Sequence, residues 1–159
     1  MFKYCGNSRI VRIIIFLFIS LWFLGLSFPV ISSSTGLYIL TPFLKRIYAE
    51  VCHQERYKSI SIGGQQFLVC SRCLGIYTSI LLSSFFSIFI TIRFKKIYHL
   101  LIISVGMMFA DILFYTIGLY EYSKIVAFGT GLFLGSISFP YILNEFENYL
   151  LTITPADEK

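Results

Sequence analysis

Residues 73–92 read CLGIYTSILLSSFFSIFITI, a stretch of 20 residues without a charged side chain. A helix of this length is about 30 Å long, which matches the hydrocarbon core of a bilayer. Arg93, Lys95 and Lys96 follow the stretch directly. Basic residues end a membrane helix because they remain among the phospholipid headgroups. The stretch therefore predicts a transmembrane helix and places the chain among membrane proteins.

Three further apolar stretches are long enough to cross a membrane. They cover residues 10–28, 97–119 and 125–143. A cleaved signal peptide is the alternative interpretation of the first stretch, because Lys3, Arg9 and Arg12 form a basic leader. The apolar part exceeds the roughly 7–15 residues usual for such a segment, which favours a retained helix. We therefore predict an all-α, four-helix transmembrane bundle in one domain, residues 1–150, with a polar tail at residues 151–159.

The composition agrees with a membrane protein. Of the 159 residues, 57% are hydrophobic and only 13% are charged, and the mean hydropathy is +0.78. A soluble domain carries nearly twice this share of charge, about 25%. The net charge of +5 would suit nucleic acid in a soluble protein, but here the basic residues gather at the ends of apolar stretches, beside phospholipid headgroups. We expect the lipid bilayer as partner and no nucleic acid, while a membrane protein partner or a homo-oligomer stays open.

The placement of positive charge predicts the orientation, because Lys and Arg stay on the cytoplasmic side during insertion. Basic residues precede the first helix and fill the turn between the second and third helices. Both put the N-terminus, that turn and the C-terminus in the cytoplasm of a cell (inner) membrane protein. Six further basic residues would then lie outside, mostly in the long connection, residues 30–72, where charge has less weight. The long connection is therefore predicted on the outer face.

The long connection contains two predicted elements. Residues 37–51 predict an amphipathic helix at the membrane surface, with apolar residues on one side. These residues are Leu40, Phe43, Leu44, Ile47 and Val51. Gly63-Gly64 joins two short alternating segments, 59–62 and 65–69, and predicts a β-hairpin with a two-residue turn. The hairpin ends at the Cys-x-x-Cys motif of residues 70–73, where the second transmembrane helix begins.

Cysteine and histidine provide the chemistry of this connection. Cys52 and His53 follow the surface helix, and Cys70 and Cys73 follow the hairpin. Two thiols at i and i+3 can face the same way, and the hairpin folds the first pair back towards them. Together these four side chains are the donor set of a closed zinc site, so Zn²⁺ is the favoured cofactor. Because adjacent residues point at one ion only with difficulty, the alternative role of His53 is to orient a neighbouring ligand.

Two alternatives to metal binding remain open. A cysteine at a helix N-terminus beside Arg72 has its thiolate stabilised by the helix dipole and by the cation, which suits a membrane thiol-disulfide oxidoreductase. On an oxidising outer face, a plain disulfide could also fix the connection to the second helix in a transporter or complex subunit. The sequence names no catalytic residue and no reaction, so it leaves open whether the protein is an enzyme.

The same motifs resemble a family of small prokaryotic integral membrane proteins described only as a domain of unknown function. The resemblance covers residues 51–135, and its signature falls on Cys52, His53, Gln54, Cys70, Arg72, Cys73, Gly75, Tyr77, Asp111, Thr130, Gly131 and Gly135. This chain has Lys58 and Ala127 where the family pattern has arginine. The resemblance implies a multi-pass membrane protein and supplies no activity.

Four residues are expected to support the metal ligands, namely Gln54, Arg72, Tyr77 and Asp111. A carboxylate inside a membrane helix is costly and usually has a partner or lines a pathway. Asp111 lies about 21 Å into the third helix, towards the outer face. We expect it to pair with Arg72 or to hydrogen-bond His53; alternatively, it joins the third and fourth helices through a hydroxyl such as that of Thr130.

Small residues predict close packing of the second and fourth helices. Ser79, Ser83 and Ser87 recur at i, i+4 and i+8, and Gly131 and Gly135 are four residues apart. This spacing lets helix backbones approach closely in a membrane. It favours one bundle over separate helices.

Overall fold

Helices dominate the computed structural model, which describes the backbone of residues 2–32, 38–90 and 97–153 and the side chains of 9–32, 39–90 and 98–149. The helices are α1 (Phe2–Ser32), α2 (Thr41–Ala49), α3 (Ser71–Phe89), α4 (Ile97–Thr116) and α5 (Lys124–Ile153). Two 3₁₀ turns, Tyr38–Leu40 and Arg56–Lys58, and two strands, β1 (Ser61–Ile62) and β2 (Gln65–Gln66), complete the elements. Within the described residues, four helices are long and apolar enough to cross a membrane: α1, α3, α4 and α5. The predicted helical membrane bundle with a surface helix and a hairpin is confirmed.

Two helices contain a proline and extend past their predicted ends. α1 continues through Pro29 to Ser32, beyond the predicted end at residue 28. α5 continues through Pro140 to Ile153, beyond residue 143 and into the predicted tail. Proline removes one backbone hydrogen bond, but membrane helices tolerate it because local adjustments and neighbouring helices satisfy the freed groups. The predicted ends were therefore too early in both helices.

Other helix ends differ from the predicted ones by a few residues. α1 begins at Phe2 instead of residue 10, and α3 covers Ser71–Phe89 instead of 73–92, of which residues 91 and 92 lie outside the described chain. α4 stops at Thr116 instead of 119. The cause is Gly118, which has a positive φ of 80°. The Leu119 N–H donates to the Phe114 carbonyl oxygen at 3.0 Å, the arrangement of a glycine-terminated helix end.

Glycine brings α5 against α3 at the centre of the bundle. A methyl group on Gly131 would overlap the carbonyl oxygen of Arg72, and one on Gly135 would overlap the hydroxyl of Ser79. This is the close backbone approach that small residues permit in membranes. α1 packs on the other side of α3, and α4 packs on α5. The packing predicted from the glycine spacing is therefore present.

Gly131→Ala is expected to destabilise the bundle by about 1–3 kcal/mol, because the added methyl group must push α3 and α5 apart. Gly129→Ala is the matched control on the same helix, since no atom of the described residues outside this helix lies within 4 Å of its added methyl group. Alanine favours a helix over glycine by about 0.5–1 kcal/mol, so the control should be neutral or slightly stabilised. Thermal unfolding in detergent measures both. Equal unfolding temperatures for the two variants would contradict the close contact.

The long connection folds back onto the ends of α1 and α3. The Tyr48 hydroxyl of α2 donates to the Trp22 carbonyl oxygen of α1 at 2.7 Å, and their rings lie 4.7 Å apart. The Leu68 N–H donates to the Leu26 carbonyl oxygen at 3.2 Å. A buried cluster forms beneath, made of Leu26, Tyr48, Cys52, Leu68, Val69 and Leu74. The connection is thereby fixed at one end of the bundle.

The hairpin turns through Gly63 and Gly64, which have φ values of 59° and 80°. Ile62 pairs with Gln65 and Ser61 with Gln66, so the two-residue turn is the predicted one. The strands are shorter than predicted. Because the chain after β2 turns to hydrogen-bond α1, it leaves the ladder before residue 69.

Candidate metal centre

Three cysteines from two separate segments meet at the end of the bundle covered by the long connection. Cys52 follows α2, Cys70 is the residue before α3, and Cys73 lies in the first turn of α3. Their sulfur atoms all lie within 4.8 Å of one another, and the three thiols are free. Cys52 is buried and the other two are partly buried. The expected proximity of Cys52 to the Cys-x-x-Cys pair is confirmed.

A tight reversal positions Cys52. Its N–H donates to the Tyr48 carbonyl oxygen at 3.0 Å, which prolongs the last turn of α2. Gln54 then has a positive φ of 51°, and its side-chain amide donates to the Lys45 carbonyl oxygen at 2.8 Å. The hydrogen bond offsets the unfavourable backbone conformation of Gln54. Gln54 therefore fixes the turn that follows Cys52.

The start of α3 is held by a hydrogen bond to the segment before the hairpin. The Ser71 hydroxyl donates to the Lys58 carbonyl oxygen at 2.7 Å. The Lys58 ammonium lies 5.0 Å from the centre of the Tyr57 ring and 5.3 Å from that of Tyr115, and it pairs with Glu55 at 2.6 Å. These contacts connect the Cys-x-x-Cys helix start to α4. This role of Lys58 could not be predicted, because the sequence marks the residue only as a departure from the family pattern.

Hydrogen bonds converge on the Cys52 sulfur. The Cys70 N–H donates to the Cys52 sulfur at 3.2 Å. Hydrogen bonds from the Cys70 thiol, then from the Cys73 thiol, hold the pKa of Cys52 far below its ordinary value, and the Gln54 backbone adds to this against the effect of burial. The same bond to Cys52 raises the pKa of Cys70. These hydrogen bonds therefore favour the thiolate form of Cys52.

His53 lies outside the group of three sulfurs. His53 is exposed whereas Cys52 is buried, and the chain turns at the next residue, Gln54, which has a positive φ. The described structure therefore brings together three of the four residues proposed as ligands from the sequence. A fourth ligand requires a movement of His53 or a group from solvent.

A buried ion pair lies beside the cysteines. Arg72, between Cys70 and Cys73 in sequence, pairs with Asp111 of α4, whose side chain is only 5% exposed. The Tyr120 hydroxyl donates to the second carboxylate oxygen, which raises the pKa of Tyr120 to about 12. The expected contact between Arg72 and Asp111 is present.

Thr130, the alternative partner predicted for Asp111, makes its hydrogen bond to another residue. The Thr130 hydroxyl donates to the Ala127 carbonyl oxygen of its own helix at 3.1 Å. Tyr120, by contrast, was not predicted as a partner of Asp111, since a loop tyrosine has no spacing signal that connects it to a carboxylate.

Tyr77 lies one turn after Cys73, with its ring 6.3 Å from that of Trp22. It packs against the buried cluster around the cysteines.

The fold and the thiol group define a class: multi-span membrane proteins with a cysteine cluster at one end of a helical bundle. The chain belongs to the family described as "Predicted membrane protein (DUF2085)", whose match covers residues 52–141 and so includes the three cysteines, Arg72 and Asp111. An uncharacterized protein of Methanocaldococcus jannaschii is 45% identical over 38 residues, which is 24% of this chain and 24% of that protein. This chain therefore matches about a quarter of that relative's length. No solved structure matches the chain.

Proposed function

We propose that Cys52, Cys70 and Cys73 bind one metal ion of zinc type. The observation that carries the proposal is that the three sulfurs lie within 4.8 Å of one another although 18 residues separate Cys52 from Cys70. Thiolates bound to one zinc ion lie about 2.3 Å from it and so about 4 Å from each other, a spacing that small side-chain movements reach. Three thiolate donors select a soft or borderline ion over Mg²⁺ or Ca²⁺.

The surroundings of the sulfurs suit such an ion. Three thiolates around a divalent cation leave one negative charge, which backbone N–H groups and a helix N-terminus stabilise. The Cys70 N–H already donates to the Cys52 sulfur, and the Gln54 backbone also hydrogen-bonds this sulfur. Cys70 and Cys73 lie at the N-terminal end of α3. The metal would replace the thiol protons, so its binding releases protons.

The fourth ligand determines whether the site is closed or open. Structural zinc sites have four protein ligands, while catalytic sites keep one position for water or substrate. We assign His53 as the fourth ligand, since it is next to Cys52 and exposed, and a rotation of its side chain towards the sulfurs would complete the set. The exposed position also makes it the most easily exchanged ligand of the four.

Elemental analysis combined with thiol counting tests the proposal. Protein purified in mild detergent without chelators is expected to contain about one metal ion per chain, with Cys52, Cys70 and Cys73 reduced but slow to react with a thiol reagent. A strong chelator should release the metal and make the same three thiols reactive. Metal-free protein with a stable disulfide among these cysteines would contradict the proposal and favour a purely structural disulfide.

A thiol-disulfide exchange site is the second candidate, because the low pKa of Cys52 gives a nucleophilic thiolate. In that reaction the Cys52 thiolate attacks a disulfide of a partner protein and releases one partner thiolate. Cys70 then attacks Cys52 and releases the second, so that the chain gains a Cys52–Cys70 disulfide and the partner gains two electrons. A disulfide that forms and is reduced reversibly in metal-free protein would favour this function.

The proposed centre lies at the extracytoplasmic face of the cell membrane, with both termini in the cytoplasm. Two groups of basic residues, one in the first turns of α1 and one between α3 and α4, support this orientation. A membrane-impermeant maleimide, applied to intact cells after chelation and reduction, is expected to label Cys52, Cys70 or Cys73 and to spare Cys5. Labelling of Cys5 alone would reverse the orientation and leave the metal site itself unaffected.

A further inference from the structure

A second polar cluster lies at the other end of the bundle from the cysteines. A cavity of about 250 Å³ opens between α1, α3 and α5, and its polar lining includes Arg12, Ser83, Ser87, Ser136, Asn144 and Glu147. Ser87 lies about 21 Å along α3 from Cys73. The close packing of Gly131 and Gly135 on α3 separates the two regions. The cavity is therefore not part of the cysteine site.

A charged pair forms one wall of the cavity. Arg12 Nε lies 2.7 Å from Glu147 Oε1, and Arg12 Nη2 lies 2.9 Å from Glu147 Oε2. Arg12 Nη1 also donates to the Ser87 carbonyl oxygen at 2.5 Å. The two side chains are only 7% and 18% exposed. Charges at this depth are costly and usually functional, and here a cation and an anion lie side by side with no net charge.

The hydroxyl groups of the cavity are acceptors. Ser87 donates its proton to the Ser84 carbonyl oxygen at 2.7 Å, and Ser136 donates to the Phe133 carbonyl oxygen at 2.9 Å. A hydroxyl that donates within its own helix can still accept a hydrogen bond from a ligand. With the Glu147 carboxylate, these oxygens suit a ligand that has several N–H donors.

The mouth of the cavity is apolar. Phe86 and Ile90, both in the lining, are 53% and 56% exposed. Exposed apolar side chains at a transmembrane helix contact acyl chains, so this part of the lining borders lipid. Its volume is below the roughly 300–1,000 Å³ of most small-molecule sites, which fits a headgroup whose acyl chains remain in the bilayer.

We propose that the cavity binds the headgroup of one phospholipid that has a phosphate and a primary ammonium. The phosphate lies near Arg12 and Asn144, and the ammonium donates to Glu147 and to the serine hydroxyls. The paired charges disfavour an anionic headgroup, since Glu147 repels it. A quaternary ammonium is disfavoured because it cannot donate hydrogen bonds and would need several aromatic rings, whereas Phe86 is the one aromatic residue in the described lining.

Native mass spectrometry of the full chain tests this proposal. Phosphatidylethanolamine, phosphatidylcholine and phosphatidylglycerol with identical acyl chains are added in turn to delipidated protein in detergent. Retention of phosphatidylethanolamine is expected to exceed that of the other two by about fivefold or more, as the loss of a charge-assisted hydrogen bond predicts. Equal retention of the three lipids, or a preference for phosphatidylglycerol or phosphatidylcholine, would overturn the proposal.

Cavity-filling variants locate the bound lipid. Ser136→Leu fills the cavity from α5 and leaves the ion pair intact, and Ser83→Leu does the same from α3 if the first variant folds poorly. Ser138→Leu is the matched control on α5, because Ser138 is not in the cavity lining. A folded filling variant should lose the selectivity, and the control should keep it. Unchanged selectivity in both filling variants would place the lipid elsewhere and refute this site.

Discussion

Replacing Cys52 with serine is expected to remove the metal from the purified protein. A serine hydroxyl stays protonated at neutral pH and is a poor ligand for a soft ion, so two thiolates remain where there were three. The affinity should fall by more than the roughly 10–100-fold that loss of an outer partner of a metal ligand costs. Metal content after dialysis, and competition with a chromophoric chelator, measure the loss.

Two controls make the Cys52 result specific. Cys5→Ser removes a cysteine that the sequence places at the other membrane face, and this variant should keep its metal. His53→Ala distinguishes a closed site, which loses affinity, from an open site, which does not. Metal retained in Cys52→Ser at the wild-type level would contradict the assignment of Cys52 as a ligand.

Asp111→Leu is expected to destabilise the protein by about 3–5 kcal/mol, because it leaves the buried Arg72 guanidinium without its carboxylate partner. Asp111→Asn should cost less, since its amide oxygen still accepts a hydrogen bond. Tyr120→Phe removes one hydrogen bond to a charged group and should cost about 1.5–3 kcal/mol. Thermal unfolding in one detergent compares the three variants. Wild-type stability of Asp111→Leu would show that the ion pair has no structural importance.

A double variant shows whether the Arg72–Asp111 pair contributes to metal binding in addition to protein stability. Arg72→Met with Asp111→Leu removes both charges, and replacement of a whole buried pair by apolar residues is often neutral or stabilising. We therefore expect unfolding near the wild-type temperature. If the pair also positions Cys70 and Cys73, the metal affinity of this folded variant falls by about 10–100-fold. An unchanged metal affinity would limit the pair to a structural role.

The transmembrane helices could be predicted from the sequence because lipid requires long uncharged stretches. Their ends were less predictable. Pro29 and Pro140 lie inside helices that continue beyond them, whereas Gly118 ends α4 through a positive φ. Whether a proline or a glycine ends a membrane helix depends on packing that no local pattern contains.

The candidate site also had features that the sequence predicts and features that it does not. The proximity of Cys52 to Cys70 could be predicted, because the hairpin between them reverses the chain direction. The exposure of His53 could not, because it depends on the direction of one turn at Gln54. The pair of Arg12 and Glu147 joins residues 135 positions apart, and no spacing in the sequence connects them.

X-ray absorption at the zinc edge tests the central claim most directly, because it reports the atoms bound to the metal in the intact protein. We predict three sulfur ligands at about 2.3 Å and one lighter ligand at about 2.0–2.1 Å. The sulfur shell should shrink to two atoms in any Cys70→Ser protein that retains residual metal. A metal shell of oxygen and nitrogen alone in the wild-type protein would contradict the assignment of Cys52, Cys70 and Cys73 as ligands.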